Sequence, residues 1–474
     1  MVVLLVGWIA GCGVEPVEPE PDVVPPVVPV PAAPVDPPPG PGEPDPDPDP
    51  EPIPVGTLVC SATSNALRFA CSIELPEEAP LELSWHRSDA EGPMRTTMSE
   101  SADEHVILVS RLEFDTSYEV WATTPDERYE TRFSTPVPPF PSLETSLQVT
   151  GTSTMGLIGT ELPCSNAAVA VVYDTTTGGL VWYQNLDQNG TLGLLDMVRF
   201  TDRGTVLGET GTQIVEVDQR GQDLVRFPTV YGGCCGLHHD VFDWGDRYVS
   251  IYQSVVGPVV LDNVVVLDAS GAEIYEWRAQ QHLTLPPGAN GDFLHANSTY
   301  VDADGDLYVS WWTPDAIAKF EGSPTTPTWT EPQWVMTGDS QPGTVGNDIV
   351  IDWNGITPGR FGDQHNVHIR NDGRLMLLDN RYGRGLVMTV DEQTLTATVD
   401  AAYPTRETAC GPQGTATDTL AGNAVVACAT RWVREYDGAT DDLLWEARLS
   451  CPNGNGGGWS AGRAARWYPL DHWD

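Results

Sequence analysis

Apolar residues fall in short runs along most of this chain, and the runs end at glycine-, aspartate- or asparagine-containing turns. Leu81-Glu82-Leu83-Ser84-Trp85 and Ser117-Tyr118-Glu119-Val120-Trp121 alternate apolar and polar positions, the period of a half-buried strand. Residues 56–136 hold several such strands and predict a small β-sandwich, followed by a linker at Pro136–Pro141. From 145 to 474 a unit repeats: a strand, an Asp-x-x-x-Gly turn, and a second strand carrying Trp or another bulky apolar residue. Copies run from Val171 to Trp182, Ile214 to Phe227, Val264 to Trp277, Ala316 to Trp329, Leu386 to Val399 and Val433 to Trp445. Second hairpins lie between them at Phe200–Val206, Phe242–Tyr248, Tyr300–Tyr308, Ile369–Leu375 and Thr419–Val425. Two hairpins make a four-stranded blade, so the pattern predicts an all-β chain with a six-bladed β-propeller over 145–474. A β-helix or a pair of sandwiches is the rival arrangement.

Charge and composition change the picture mainly at the N-terminus. The 474 residues carry 67 Asp and Glu against 24 Lys and Arg, a net charge of −43, and the only lysine is Lys319. So acidic a chain is opposed to neutralising phosphates, and no nucleic-acid partner is expected. Residues 13–55 contain 18 of the 41 prolines, 10 of the acids and no Lys or Arg. Fixed φ angles and like-charge repulsion predict a disordered, extended stalk there. Without the stalk, 57 acids still face 24 bases, about −33. Before it, residues 1–12 read MVVLLVGWIAGC, an apolar run ending in Ile9-Ala10-Gly11-Cys12. This is similar to a bacterial lipoprotein signal, with Cys12 as the lipidated residue. The run is too short to span a bilayer, so attachment through the lipid alone, in the bacterial cell envelope, is expected.

Eight further cysteines, at 60, 71, 164, 234, 235, 410, 428 and 451, suit an exported, disulfide-bonded protein. Cys60–Cys71 and Cys410–Cys428 are the expected pairs, each joining neighbouring strands; the rest stay open. No CxxC pair meets a second one, so no zinc site is expected. Asp302-Ala303-Asp304-Gly305-Asp306 resembles a calcium loop but lacks the downstream glutamate, and reads as a turn between strands. The stretch Leu112–Pro136, with Asp115-Thr116-Ser117-Tyr118 and Arg132-Phe133-Ser134-Thr135-Pro136, resembles the end of a fibronectin type III domain. The sandwich is therefore expected to be fibronectin III-like.

Four of the nine histidines share one phase of the repeat: His238 and His239, His295, and His365. Each precedes a second-hairpin turn glycine, at 245, 305 or 373, by six to ten residues. In a propeller the strand entering that turn is innermost, so its first residues face the axis at one mouth and the histidines should converge. Converging imidazoles suit a transition metal. They equally suit covalent catalysis, with one histidine as nucleophile and another as acid and base.

The same segments resemble the arylsulfotransferase family, the bacterial enzymes that do not use PAPS. The family pattern is matched by His238-His239-Asp240, His295-Ala296-Asn297-Ser298, Gln364-His365-Asn366 and Leu378-Asp379-Asn380, in order, over roughly 165–474. The resemblance implies a six-bladed propeller, often behind a β-sandwich, that transfers a sulfuryl group between an aryl sulfate and a phenol without a cofactor or metal. It implies His365 as the nucleophile, His295 with His238 or His239 as proton and N–H donors, and Asn297 as an orienting or donating residue. Trp312, and also Trp311 and Tyr382, could stack on a phenol ring. One departure stands out. The family usually has Ser-Ser-Arg where this chain has Ser310-Trp311-Trp312, and that arginine binds the sulfuryl group. Arg370, Arg381 and Arg384 are the candidate replacements. The alternatives are a non-catalytic surface propeller that binds a ligand, and a metal-dependent enzyme built on the histidines. Oligomeric state is not legible.

Overall fold

The structure, a computed structural model, describes residues 55–474 except 90–93, 163, 165–167, 187–196, 210–212, 230–236, 340–344, 412, 430, 452–465, 471–472 and 474. The proposed lipid signal, Cys12 and the stalk lie outside the described residues, as do Cys234 and Cys235.

The described residues are almost entirely strand and turn. Six sheets, each built on a four-stranded antiparallel meander, follow one another in a propeller-like ring. Sheet II runs Met197–Phe200, Val206–Glu209, Gln213–Val217 and Asp223–Pro228. Sheet III runs Leu237–Trp244, Arg247–Val256, Val259–Asp268 and Glu273–Trp277. Sheet IV runs Ala296–Val301, Leu307–Trp311, Ala316–Phe320 and Trp334–Thr337. Sheet V runs His365–Ile369, Leu375–Asp379, Arg384–Asp391 and Thr396–Pro404. Sheet VI runs Gly414–Asp418, Ala424–Cys428, Trp432–Tyr436 and Leu443–Ser450, with Ser146–Gly151 on its outer edge. Sheet I draws on both ends of the region: Trp467–Pro469 is innermost, followed by Leu157–Glu161, Val169–Asp174 and Leu180–Asn185.

Burial explains why the strands read differently in the sequence. Val169–Asp174 and Ala316–Phe320 are buried at every position because sheets cover both of their faces. Outer strands such as Thr396–Pro404 and Leu443–Ser450 alternate buried and exposed. The recurring feature of the turn is its aspartate rather than a fixed Asp-x-x-x-Gly spacing, which only Asp174 keeps: Oδ1 of Asp174, Asp218, Asp268, Asp391 and Asp437 each accepts two nearby backbone N–H groups. Asp302 does the same for Asp304 and Asp306, while Lys319 Nζ lies 2.9 Å from Asp306 Oδ2. The calcium-like run is thus built as a turn, with an ammonium already at its carboxylate.

The bulky residue of the repeat locks one sheet to the next. Indole Nε1 donates from Trp182 to Gln219 O (2.8 Å), from Trp277 to Thr330 O (2.7 Å) and from Trp445 to Thr175 O (3.2 Å). Trp334 Nε1 donates to Glu392 Oε1 at 3.0 Å. At the other two junctions rings meet instead: Phe227 with Tyr248 (5.8 Å) and Tyr403 with Tyr436 (5.5 Å). The copy expected at Ala316–Trp329 needs correction. Its partner strand is Trp334–Thr337, and Trp329 sits in the intervening loop, donating to Gly305 O at 2.9 Å. A longer connection lets that indole pack against Tyr275 and Trp244 of sheet III.

Residues 59–134 form one continuously hydrogen-bonded, five-stranded sheet. Phe69–Arg87 pairs Val59–Ala62 along its first half and Ser117–Thr123 along its second, and pairs Arg95–Val109 on its other edge with register slips between Glu74 and Leu81. The bent sheet folds back far enough for Phe69 to stack on Phe133, centroids 4.1 Å apart. Its core continues into the ring through Leu143, Tyr173 and Trp445. Asp174 receives Arg95 at 3.0 Å and Arg111 at 3.7 Å, so the two parts share a core and ion pairs. Both expected disulfides are present, Cys60–Cys71 and Cys410–Cys428. A third, Cys164–Cys451, ties sheet I to the end of sheet VI across 287 residues of chain.

Closure of sheet I also rests on Trp473, which is buried edge-on to Trp182 (4.9 Å) and Phe200 (5.2 Å). Trp473→Ala should lower stability by about 3–5 kcal/mol. Denaturant unfolding measures this, and an unchanged midpoint would contradict the closure described.

Candidate active site

The innermost strands of sheets III, IV and V each slip register at the same end, between Leu237 and Val241, Ala296 and Ser298, and His365 and His368. A bulge of this kind re-aims side chains. His239 (φ 66°), His295 (φ 49°) and Asn366 (φ 55°) occupy the left-handed region there, as do Asp363 (φ 53°) and Gln413 (φ 70°). Each such non-glycine residue costs about 1–2 kcal/mol. Five of them at one mouth of the ring mark a place where packing holds strain.

Hydrogen bonds join the histidines into one network. His239 Nε2 lies 3.1 Å from His295 Nε2, and His295 Nδ1 lies 2.5 Å from Asp292 Oδ2. Gln413 Nε2 reaches His239 Nδ1 at 3.3 Å, and the Gln413 backbone N–H donates to His365 Nε2 at 3.2 Å. His365 Nδ1 contacts Asp363 O (2.9 Å) and Asn380 Oδ1 (3.1 Å). A carbonyl oxygen only accepts, so Nδ1 carries the proton and Nε2 keeps its lone pair. His238 Nε2 is 2.9 Å from Asp262 Oδ1, and its ring meets His239 edge-on at 4.7 Å.

The electrostatics separate these rings. Burial, followed by the charge of Arg466, lowers the His365 pKa to about 3, so His365 is neutral at any physiological pH. Burial and the neighbouring histidines hold His239 well below its ordinary value. For His295 burial also opposes charge, but the hydrogen bond to Asp292 and the Asp292 and Asp262 carboxylates outweigh it and raise the pKa. Environments that push like groups apart in this way are the usual means of assigning acid and base roles.

The structure brings His238, His239, His295 and His365 together, with Asn297 beside them. Asn297 Nδ2 donates to Gln364 O at 2.8 Å, while its Oδ1 has no hydrogen-bond partner among the described residues. Trp312 is 38% exposed and its ring lies 5.1 Å from His295, whereas Trp311 is buried in sheet IV. The candidate arginines are engaged elsewhere. Arg384 donates to Asp379, Thr357 O, Pro358 O and Arg360 O. Arg381 pairs with Asp315 and Asp363, and Arg370 with Asp372 and Gly422 O. Among the described residues no three His, Cys, Asp or Glu side chains stand as a metal site would require.

Two residues that sequence reasoning missed belong here. Gln413 precedes turn Gly422 by nine residues, the phase of the histidines, and scanning that phase for any polar residue would have found it. Arg466 is 1% exposed, with one guanidinium N–H on Asp240 Oδ1 (3.1 Å) and another on Asn297 O (3.0 Å). It comes from the strand that closes sheet I, and no local motif announces it.

A family model described as arylsulfotransferase (ASST) matches residues 144–400, just over half of the chain. No curated protein matches. Among solved structures, a protein of unknown function from Bacteroides caccae is 8% identical with a TM-score of 0.41, covering 61% of this chain and 93% of its own. A streptogramin B lyase is 11% identical with a TM-score of 0.38, covering 66% and 90%. A putative 6-phosphogluconolactonase from Bacteroides uniformis is 11% identical with a TM-score of 0.35, covering 77% and 94%. Likenesses this remote are silent on activity.

Long-range nitrogen–proton NMR of histidine-labelled protein should find His365 neutral, with its proton on Nδ1, from about pH 5 to 8. A charged His365, or one protonated on Nε2, would contradict the network described here.

Proposed function

This chain belongs to the arylsulfotransferase (ASST) family, and from that premise we propose that it carries a sulfuryl group from an aryl sulfate to a phenol through a sulfo-histidine at His365. The observation that supports this most is the contrast between two histidines of one network: His365 is neutral with an Nε2 lone pair, and His295 is biased toward its charged form. The His365 Nε2 pair attacks sulfur, forming N–S as the S–O bond to the ring breaks. The electron pair leaves on the phenolate oxygen, which takes a proton from His295, directly or through His239. An acceptor phenol then gives its proton back to that histidine, its oxygen attacks sulfur, and the N–S pair returns to Nε2. Turning the Gln413 amide, whose Oε1 has no partner among the described residues, accommodates both protonation states of His239 and His295. Gln413 N–H, released from His365 Nε2 on attack, is available to a sulfuryl oxygen. Trp312 offers a face for the ring, and Asn297 a polar group beside it. The step uses no cofactor.

In this reading the ring is a six-bladed β-propeller and the bent N-terminal sheet is fibronectin III-like. Residues 1–12 are a lipoprotein signal, Cys12 carries lipid, and residues 13–55 hold the protein off a membrane of the bacterial cell envelope. A second reading, a ligand-binding propeller without turnover, is favoured by one observation: tryptophan stands where the family's sulfuryl-binding arginine is expected.

With 4-nitrophenyl sulfate and a phenol acceptor the protein should release nitrophenol, and His365→Ala should lose at least about 10⁴-fold in kcat. Undiminished release by that variant excludes the sulfo-histidine; no release by the wild type favours the binding reading. A second outcome concerns pH. With unsubstituted phenyl sulfate, a poor leaving group, kcat/KM should fall as pH rises through the elevated His295 pKa. Asp292→Asn removes the raising carboxylate, so this alkaline limb should move to lower pH. A limb that stays in place takes His295 out of the acid role.

A further inference from the structure

The anion proposed above needs a cation at the site, and position 312 does not supply one. We propose that Arg466 is that cation: it holds the sulfuryl group at His365 from the axis side, in place of an arginine at 312. The inference rests on the sulfotransfer reading for the identity of the anion, though not for the existence of an anion site.

Four contacts fix where Arg466 stands. Its guanidinium is bonded to Asp240, the residue after His239, and to the carbonyl of Asn297, two residues after His295. Its neighbour Trp467 donates its backbone N–H to Thr415 Oγ1 at 2.7 Å, two residues after Gln413. Gln413 in turn donates to His365. Arg466 is therefore bracketed by the three strands that present His239, His295 and Gln413, directly behind the histidines. Its third donor, Nε, is buried without a partner among the described residues. So is Asn297 Oδ1, and buried polar atoms left open on two residues in contact are expected where a ligand or water belongs.

Two guanidiniums stand close to the histidines. Asp240 is fully buried and faces two guanidiniums, Arg466 at 3.1 Å and Arg199 at 3.1 Å. Asp243 adds a second carboxylate near Arg199, whereas the other contact of Arg466 is the neutral carbonyl of Asn297. Burial lowers the His365 pKa most, and the charge of Arg466 adds to it.

The test compares wild type, Arg466→Gln, and Arg466→Gln with Trp312→Arg. Binding of 4-nitrophenyl sulfate is followed by calorimetry and its turnover by nitrophenol release. Arg466→Gln should weaken binding about tenfold and lower kcat/KM about 10²–10³-fold. Adding Trp312→Arg should recover at least about tenfold of the loss in kcat/KM. A purely structural Arg466 would not be rescued from position 312, so failure of rescue overturns the proposal, as does a folded Arg466→Gln that binds like wild type. If the glutamine variant does not fold, Arg466→Lys carries the test. Keeping the charge should keep binding within about fivefold, and loss of binding in folded protein overturns the proposal. The two readings fail separately. Arg466-dependent binding without turnover sinks sulfotransfer and leaves the anion site. Turnover indifferent to Arg466 does the reverse.

Discussion

The carboxylate of Asp240 is the contact on which the rest of the ring depends. It is fully buried and receives Arg199 from sheet II, Arg466 from the closing strand of sheet I, and the backbone N–H of Thr299 from sheet IV at 2.7 Å. Its own carbonyl takes the hydroxyl of Ser250 within sheet III. One side chain thus joins four of the six sheets at the axis. A carboxylate so placed is tolerable only when every lone pair is engaged, and removing either arginine would strand a buried charge. Because Asp240 follows His239 directly, the contact that closes the ring also sets the backbone that turns a histidine inward.

The same accounting resolves the chain's excess of acid. Asp174, Asp218, Asp268, Asp302, Asp391 and Asp437 each hold a turn together by accepting backbone N–H groups. These carboxylates recur because the turn recurs; their negative charge is a by-product of architecture. Exposed charges are screened within about 10 Å in salt, whereas Asp240 and Arg466 are buried. A chain of strongly negative net charge can therefore still bury a guanidinium beside its histidines, and net charge says little about what a site accepts.

What could be read in the sequence followed local rules. The outer hairpins were legible because an aspartate-capped turn and a bulky residue at the sheet junction are each needed once per unit. The histidines were legible because the innermost strand begins at a fixed distance from its turn glycine. What escaped depends on the chain meeting itself at long range. Sheet I was missed as a hairpin pair because Trp467–Pro469 joins Leu157–Glu161 from the far end of the region. Cys164–Cys451 and Arg466 were missed for the same reason. Gln413 escaped because the phase was scanned for histidine alone. Arg381 and Arg384 had the right chemistry and adjacent positions, but carboxylates and carbonyls already hold their donors.

Moving the cation from the rim to the axis has a consequence for recognition. A rim arginine would meet the anion and the edge of its substituent together. In this chain the two tasks fall to opposite sides of the histidines. Arg466 is buried behind them, and in the proposed arrangement it meets the charged group. Trp312 lies before them, partly open to solvent and 5.1 Å from His295, where it can meet only the group that the anion carries. An indole face favours flat apolar rings over a hydrated alkyl chain of equal length. The proposed arrangement would therefore select ligands that combine an oxyanion with an aromatic body and discriminate against inorganic sulfate, which would leave the tryptophan uncovered.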